Sequence, residues 1–450
     1  MLTADFVELW LGRPHLLTYL GGCDGVATRP TAERGCPMKR RQAVITGLGI
    51  VSPIGVGIED FWASALAGRS GISTPTLYDA SKLPRECQIV GEVRDFDVKH
   101  WMPGAAGRMA GRFSQFAVAA AKMAREDAML ASAHIPPERI KVSIGTSMNG
   151  LTDVHQPNFE TFLDRGFVSP WACLEYPAHA ATSHVAIESH ARGQAASFAT
   201  ACAAGLDAIA WAAQQIEGGL ATAVIAGATD TPLSGCTVMA LHAVGVLPKW
   251  QGPPEEASRP FDRLRDGLVI AEGAAIVIIE EEENARARGA SIYARIEGSG
   301  NATEGAHLRK VDQTGDVGGQ AMKLALGSAR VEPREIDYVA AHGNSMQDYD
   351  SAETASIKQV FGNHAWNMPI SSLKSMCGQA FAASSAMQVV AACLTLRDQI
   401  VLPTVNYSVP DPACDLDYVP NVARPARVRT LLIHAHSLGG LHSAMVLRAV

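Results

Sequence analysis

Short apolar runs alternate with helix-patterned stretches along most of the chain. Segments 43–46, 142–145, 196–199, 223–226 and 275–280 are apolar and bounded by turn residues, which predicts strands. Five more strands are predicted at 292–298, 336–340, 368–371, 430–435 and 444–447. Between them, apolar residues recur at helical spacing over 61–67, 112–127, 205–217, 318–329, 350–361 and 384–398. Near-continuous apolar strands alternating with helices predict an α/β chain with a mainly parallel sheet covered on both faces. The pattern reads as two similar halves, 38–290 and 291–450, with the charged stretch 280–289 as the seam. Gly- and Pro-rich stretches at 68–75, 103–107, 251–260 and 403–412 read as surface loops.

Composition narrows the class. Of 450 residues, 47% are hydrophobic and 18% charged, so a substantial core can be buried. A net charge of -7 argues against a nucleic-acid binder. No apolar run reaches the length of a transmembrane helix. The nine cysteines form no CxxC pair, so neither a disulfide framework nor a zinc site is expected, and a reducing cytoplasm fits. Residues 1–37 lack a basic start followed by a clean apolar run, so they do not read as a secretory signal. They read as an N-terminal extension, or as a stretch ahead of a natural start at Met38.

The first candidate for chemistry is Cys202, in Ser197-Phe198-Ala199-Thr200-Ala201-Cys202-Ala203-Ala204-Gly205. An apolar strand ends in small residues, and an alanine-rich helix follows the cysteine. A thiol on such a turn lies at a helix N-terminus, where free N–H groups and the helix dipole favour a thiolate. That suits a covalent nucleophile; the alternative is a buried structural cysteine. A second cluster is Val339-Ala340-Ala341-His342-Gly343-Asn344-Ser345, an apolar strand ending in an imidazole, with Asp350 and Glu353 on the next helix. Strand C-termini face the crevice where α/β folds bind ligands. A third is Ser371-Ser372-Leu373-Lys374-Ser375-Met376-Cys377-Gly378-Gln379, where a partly buried lysine needs a carboxylate, with Glu353 as candidate.

Ser258-Arg259-Pro260-Phe261-Asp262 and Arg265 to Gly273 read as charges bracing a loop. Near the C-terminus stands His434-Ala435-His436-Ser437-Leu438-Gly439-Gly440, whose glycines permit a tight loop. Its two histidines at i, i+2 lack a carboxylate or third ligand nearby in sequence, so no metal is expected.

Together these motifs resemble the β-ketoacyl-acyl carrier protein synthases, condensing enzymes of the thiolase superfamily, over residues 38–450. Ala43-Val44-Ile45-Thr46-Gly47-Leu48-Gly49 with Ser52-Pro53-Ile54-Gly55, Pro403-Thr404-Val405-Asn406 and the terminal glycine loop add to the match. The resemblance implies a five-layered αβαβα thiolase-like fold built from two similar halves, the first carrying Cys202 and the second His342 and Lys374. It implies an acyltransferase that forms acyl-Cys202 from an acyl carrier protein thioester. Condensation with a malonyl-type extender follows. His342 and a second histidine would stabilise the enolate. The N–H groups of Cys202 and Leu438 would form an oxyanion hole, and Lys374 paired with Glu353 would orient His342. It implies no cofactor beyond the phosphopantetheine arriving on the carrier. The assembly implied is a homodimer, or a heterodimer with a related ketosynthase-like subunit, with no nucleic acid and no membrane.

The chain departs from the family pattern at the second histidine, where Gln379 stands. A glutamine amide donates neutral hydrogen bonds and cannot titrate near neutral pH. The aromatic gate loop reads Ser437-Leu438-Gly439-Gly440, and Asn344 and Met346 replace threonines. His436, Leu438, Asn344 and Gly439 are therefore expected to contact substrate. These pocket changes point to specialised metabolism such as polyketide biosynthesis rather than housekeeping fatty-acid synthesis. Two alternatives stand beside condensation. One is acyl transfer to an O, N or S nucleophile without decarboxylation. The other is a chain-length-setting partner of another ketosynthase, against which the retained Cys202, His342 and Lys374 argue.

Overall fold

The computed structural model describes residues 41–450; the readings for 1–37 and for Met38 lie outside the described residues. The first half contributes strands β1 (Ala43–Ser52), β2 (Ile140–Gly145), β3 (Ala195–Phe198), β4 (Ala223–Asp230) and β5 (Gly273–Glu281). The second contributes β6 (Ala294–Thr303), β7 (Tyr338–Ala340), β8 (Ile370–Ser371), β9 (Thr430–His436) and β10 (Leu441–Arg448). Their order in space is β8-β7-β9-β10-β6-β1-β5-β4-β2-β3, with the two-residue strand Gly55–Val56 beside β1. Each half thus has the same internal order, and strand n of the first corresponds to strand n+5 of the second. The halves join where β1 and β6 share a short antiparallel register, Val44 opposite Arg295 and Ile45 opposite Ala294.

The sheet is mixed, which corrects the mainly parallel expectation. Pairing is parallel only at the outer ends, β8-β7-β9 and β4-β2-β3, and antiparallel between them. A continuous apolar strand reports burial on both faces, not direction, and β1, β4 and β5 are buried on both faces here. All ten predicted strands form, most with longer ends than their apolar cores suggest.

Helices repeat as well. α1 (Arg112–Asp127), α2 (His179–Glu188) and α3 (Ala204–Glu217) belong to the first half. α4 (Asp316–Ala329), α5 (Gln347–Phe361) and α6 (Ala382–Asp398) belong to the second. α3 and α6 pack on each other between the two halves of the sheet, and α1, α2, α4 and α5 cover the outer faces. The layers are αβαβα. α6 is buried along nearly its whole length, as a helix between two sheets must be. α2 was not predicted, because its apolar residues do not gather on one face. The outer helices sit unusually close to the first strand of each half. A Cβ on Gly47 or Gly49 of β1 would lie 2.2 Å from Ala124 O or 2.0 Å from Ala120 O of α1. A Cβ on Gly298 or Gly300 of β6 would lie 2.4 Å from Ala329 N or Ala325 N of α4. The same Gly-x-Gly device therefore seats an outer helix in both halves.

Candidate active site

The thiol is set by a turn that only a tightly packed backbone can hold. β3 ends at Phe198, and Ala201 takes a left-handed φ of 50° before the short turn Ala201–Ala203 enters α3. A non-glycine residue in that region is strained, and such strain gathers where a side chain must be aimed. Gly205 lets α3 approach α6, since a Cβ there would meet Ala382 O and Ala386 N at 2.7 Å. Cys202 is left 5% exposed, among Phe381, Met346 and Leu438.

Burial decides the state of that thiol. It raises Cys202 to about 11, although the Gln379 side chain, the Lys374 charge and the Leu438 N–H all favour the thiolate. Asp230 pushes the other way. The resting group is a neutral thiol, which corrects the expectation of a poised ion. The helix-terminus argument counted the stabilising dipole but not the loss of water. What remains is a set of fixed partners that act only when charge develops.

His342 stands at the end of β7. α5 grips the backbone there: Glu353 accepts from His342 N (2.7 Å) and Gly343 N (2.8 Å), and Asp350 from Asn344 N (2.9 Å). Both ring nitrogens of His342 are buried and without a protein partner. Burial first, and then the Lys374 charge, lower its pKa well below the usual imidazole range, so the ring is neutral. A neutral, unclaimed imidazole can offer an N–H to an oxygen.

Lys374 does not pair with Glu353 directly, which corrects the expected contact. Its Nζ donates to the His342 carbonyl at 2.6 Å and to Gln388 Oε1 at 3.2 Å. Gln388 Nε2 in turn reaches the carbonyls of Ala340, Ala341 and His434. Glu353 is instead taken by His434 Nδ1 at 2.6 Å and by the two backbone N–H groups. Lysine and glutamate still fix His342, but through its main chain from opposite sides. Burial lowers Lys374 to about 8 despite the Glu353 charge.

Gln379 lies on the segment before α6, its main chain tied to Val269 O (2.7 Å) and Ala271 N (2.9 Å). Its Oε1 is buried and unpartnered, while its side chain reaches Cys202. Asn344 is turned inward: its Oδ1 accepts from Met346 N at 3.0 Å, which commits the carbonyl end to the turn rather than to a substrate. The loop 437–440 closes the site. Ser437 Oγ accepts from Ala203 N and donates to Thr200 O, each at 3.0 Å, which clamps the loop onto the thiol's turn. Leu438 presents its N–H toward the sulfur. Gly439 and Gly440 hold φ of 94° and 73°, open to glycine at little cost. His436 turns its Nε2 toward Glu304 Oε1 (3.5 Å), with its ring 6.1 Å from that of His342 and 4.5 Å from that of Tyr349.

Several polar residues around the site went unread in the sequence. Asp230, at the end of β4, accepts from Ser147 N, Met148 N, Ala382 N and Thr146 Oγ1 and so ties three loops together. Burial raises it to about 6. A lone acid closing an apolar strand was the available signal. Gln388, Glu304 and His442 gave none, since each matters only through neighbours distant in sequence. The braced loop behaves as read: Arg265 meets Asp350 at 3.5 Å and Asp411 at 2.5 Å. Next to it a cleft of about 260 Å³ is lined by Arg309, Gly267, Gln347 and Met346, and Met346 shares its buried cluster with Cys202.

Fold and site define a doubled α/β protein with a buried thiol at a strand-to-helix turn of one half and an imidazole at a strand end of the other. Two family models match, the β-ketoacyl synthase N-terminal domain over residues 40–285 and the β-ketoacyl synthase C-terminal domain over 293–408. A 3-oxoacyl-[acyl-carrier-protein] synthase 2 of Coxiella burnetii is 38% identical over 415 residues, covering 92% of this chain and all of that protein. A putative polyketide β-ketoacyl synthase 1 of Streptomyces cyaneus is 38% identical over 419 residues, covering 90% and 98%. Among solved structures, the ishigamide ketosynthase/chain length factor matches with TM-score 0.85 and 31% identity, over 92% of this chain and 100% of that one. A type II polyketide acyl-carrier protein in complex with its ketosynthase bound to the hexaketide matches with TM-score 0.84 and 33% identity, over 92% and 100%. The chain belongs to the β-ketoacyl synthase family, whose members are condensing acyltransferases. Among the described residues no helix is long and apolar enough to cross a membrane.

Proposed function

We propose that this chain is a ketosynthase that loads an acyl group onto Cys202 from a carrier-protein thioester and condenses it with a malonyl-type extender, in polyketide-type metabolism. The observation that carries this reading is that Cys202 packs with Leu438 and Met346 at the turn clamped by Ser437, while both ring nitrogens of His342 and the Oε1 of Gln379 stay buried and unclaimed. In the first step the sulfur attacks the thioester carbonyl, the carrier sulfur leaves, and the thiol proton ends on the carrier. The N–H groups of Cys202 and Leu438 would hold the oxyanion, a contribution of about 3–4 kcal/mol per donor in comparable sites. In the second step the extender loses carbon dioxide. His342 and Gln379 would donate N–H bonds to the enolate oxygen, its carbon attacks the acyl carbonyl, and Cys202 departs as a thiolate that takes one proton from solvent to restore the resting thiol.

The cleft beside Met346, lined by Arg309, would admit a carrier-borne pantetheine. No further cofactor is needed for these steps. The seven described cysteines are all unpaired, which suits a reducing, cytoplasmic setting. Assembly as a homodimer, or with a related ketosynthase-like subunit, is supported by the open edge of β3. Exposed apolar side chains at Phe159, Leu163, Phe167 and Leu174 support it as well. Two measurements test the reading. Intact mass after incubation with an acyl carrier protein should show one acyl adduct on Cys202. Release of carbon dioxide from malonyl carrier should then accompany product. An adduct without carbon dioxide would point to the second reading, plain acyl transfer, which Gln379 favours because it cannot act as a base.

A further inference from the structure

The second half holds a buried cluster that the proposed reaction does not use. Glu304 follows β6, His436 ends β9 and His442 is the second residue of β10. The β9–β10 register sets His436 directly opposite His442, so both rings leave the same face of the sheet. They stack with centroids 3.9 Å apart. We propose that Glu304, His436 and His442 form a binding site for a divalent transition-metal cation of the zinc type.

The donor atoms are already gathered. One ligand atom from each residue lies within 4.8 Å of the other two. Glu304 Oε1 stands 3.0 Å from His442 Nε2 and 3.5 Å from His436 Nε2. Two ligands bound tetrahedrally at zinc distances lie roughly 3.4 Å apart, so little movement is required. His436 Nε2 is buried and has no hydrogen-bond partner, an orphan aimed into the cluster.

The surroundings match what metal-bound histidines need. A ligating imidazole passes its other nitrogen to a fixed partner that sets the tautomer. His442 Nδ1 meets His434 Nε2 at 3.3 Å, and His434 Nδ1 meets Glu353 Oε1 at 2.6 Å. If both rings donate toward Glu353, the lone pair of His442 Nε2 faces the Glu304 carboxylate. A cation seated between them would meet that lone pair and the carboxylate at once. Glu304 is itself held: its second oxygen, Oε2, accepts from Asp312 N at 3.1 Å. Histidine nitrogens with one carboxylate suit zinc or cobalt rather than calcium or magnesium.

Position suggests what the ion does. His436 and His442 close the two ends of the loop whose Ser437 clamps the thiol's turn and whose Leu438 faces Cys202. Glu304 already binds that loop through Glu304 N to Gly440 O at 2.9 Å. A metal here would cross-link β6, β9 and β10 at the base of the loop and hold it in place. The site stands on the side chains alone and does not rest on the proposed reaction.

The test uses the whole chain, stripped with a chelator and titrated with Co²⁺. The expected result is about one tight equivalent per chain with the visible bands of four-coordinate cobalt, displaced by Zn²⁺. His442→Asn and Glu304→Gln should each weaken that equivalent by on the order of a hundredfold or more. A zinc-edge anomalous peak among the three side chains in crystals of the unaltered protein gives the same answer without any variant. Cobalt binding that is absent, or that is unchanged in folded variants, overturns the proposal, as does a zinc-soaked crystal with no peak there.

Discussion

The two halves of this protein use one strand order and one glycine device, yet they hold different chemistry at equivalent places. The turn after β3 carries Cys202; the equivalent turn after β8 carries Lys374 and Gln379. The turn after β2 carries Thr146, which serves Asp230; the one after β7 carries His342. β4 ends in Asp230, a structural acid, and after β9 comes the loop clamped by Ser437. α3 and α6 bring these turns face to face, so nucleophile and donors come from opposite halves. A repeated scaffold fixes where strand ends point, and the side chains at those ends are then free to diverge.

The largest break in this comparison should come from Cys202→Ala. Intact mass should show no acyl adduct, with turnover falling on the order of a thousandfold or more. An adduct that persists would place the nucleophile elsewhere. His342→Ala should keep the adduct while carbon dioxide release falls about 10²- to 10³-fold. Equal loss of both steps would deny the division of labour between halves.

The structural equivalence is tested by Gly49→Ala and Gly300→Ala. Each puts a Cβ into the facing helix backbone, at 2.0 Å from Ala120 O and 2.4 Å from Ala325 N. Urea unfolding should show a loss of about 1–3 kcal/mol for each, and a neutral result at either would break the parallel.

A smaller effect concerns pH. With Cys202 raised to about 11 by burial, its alkylation by a small neutral reagent should keep rising above pH 9. Removing the Lys374 charge raises the thiol further and shrinks its thiolate fraction in proportion. Lys374→Met should therefore slow alkylation at pH 7, where Lys374 still carries its charge, by about tenfold if the thiol's pKa climbs by one. A plateau near pH 8 in the unaltered protein would contradict the neutral resting thiol. The smallest change is expected of Gln379→His, which should raise carbon dioxide release from malonyl carrier a fewfold, since an imidazole can also titrate. An unchanged or lower rate counts against an enolate-binding role for that position.

Much was legible along the chain. The ten strands, five of the helices α1–α6 and the clusters around Cys202, His342 and Lys374 follow from local patterns of apolar residues, small residues and punctuating glycines. Those patterns are short-ranged, so a single sequence carries them. Strand direction was not legible, because an apolar run looks the same whichever way its neighbour runs. The metal-like cluster was missed for a related reason: His436 meets its partners only when β10 and the end of β6 fold beside it. The Lys374–Glu353 pairing failed because a nearer main-chain carbonyl and Gln388 compete for the ammonium. The thiol's charge state turned on desolvation, which depends on everything packed around Cys202. Sequence alone settled which residue types stand at the strand ends. Only tertiary packing decided which of them touch, how dry they are and therefore which carry charge, because contact and dielectric are properties of the assembled core.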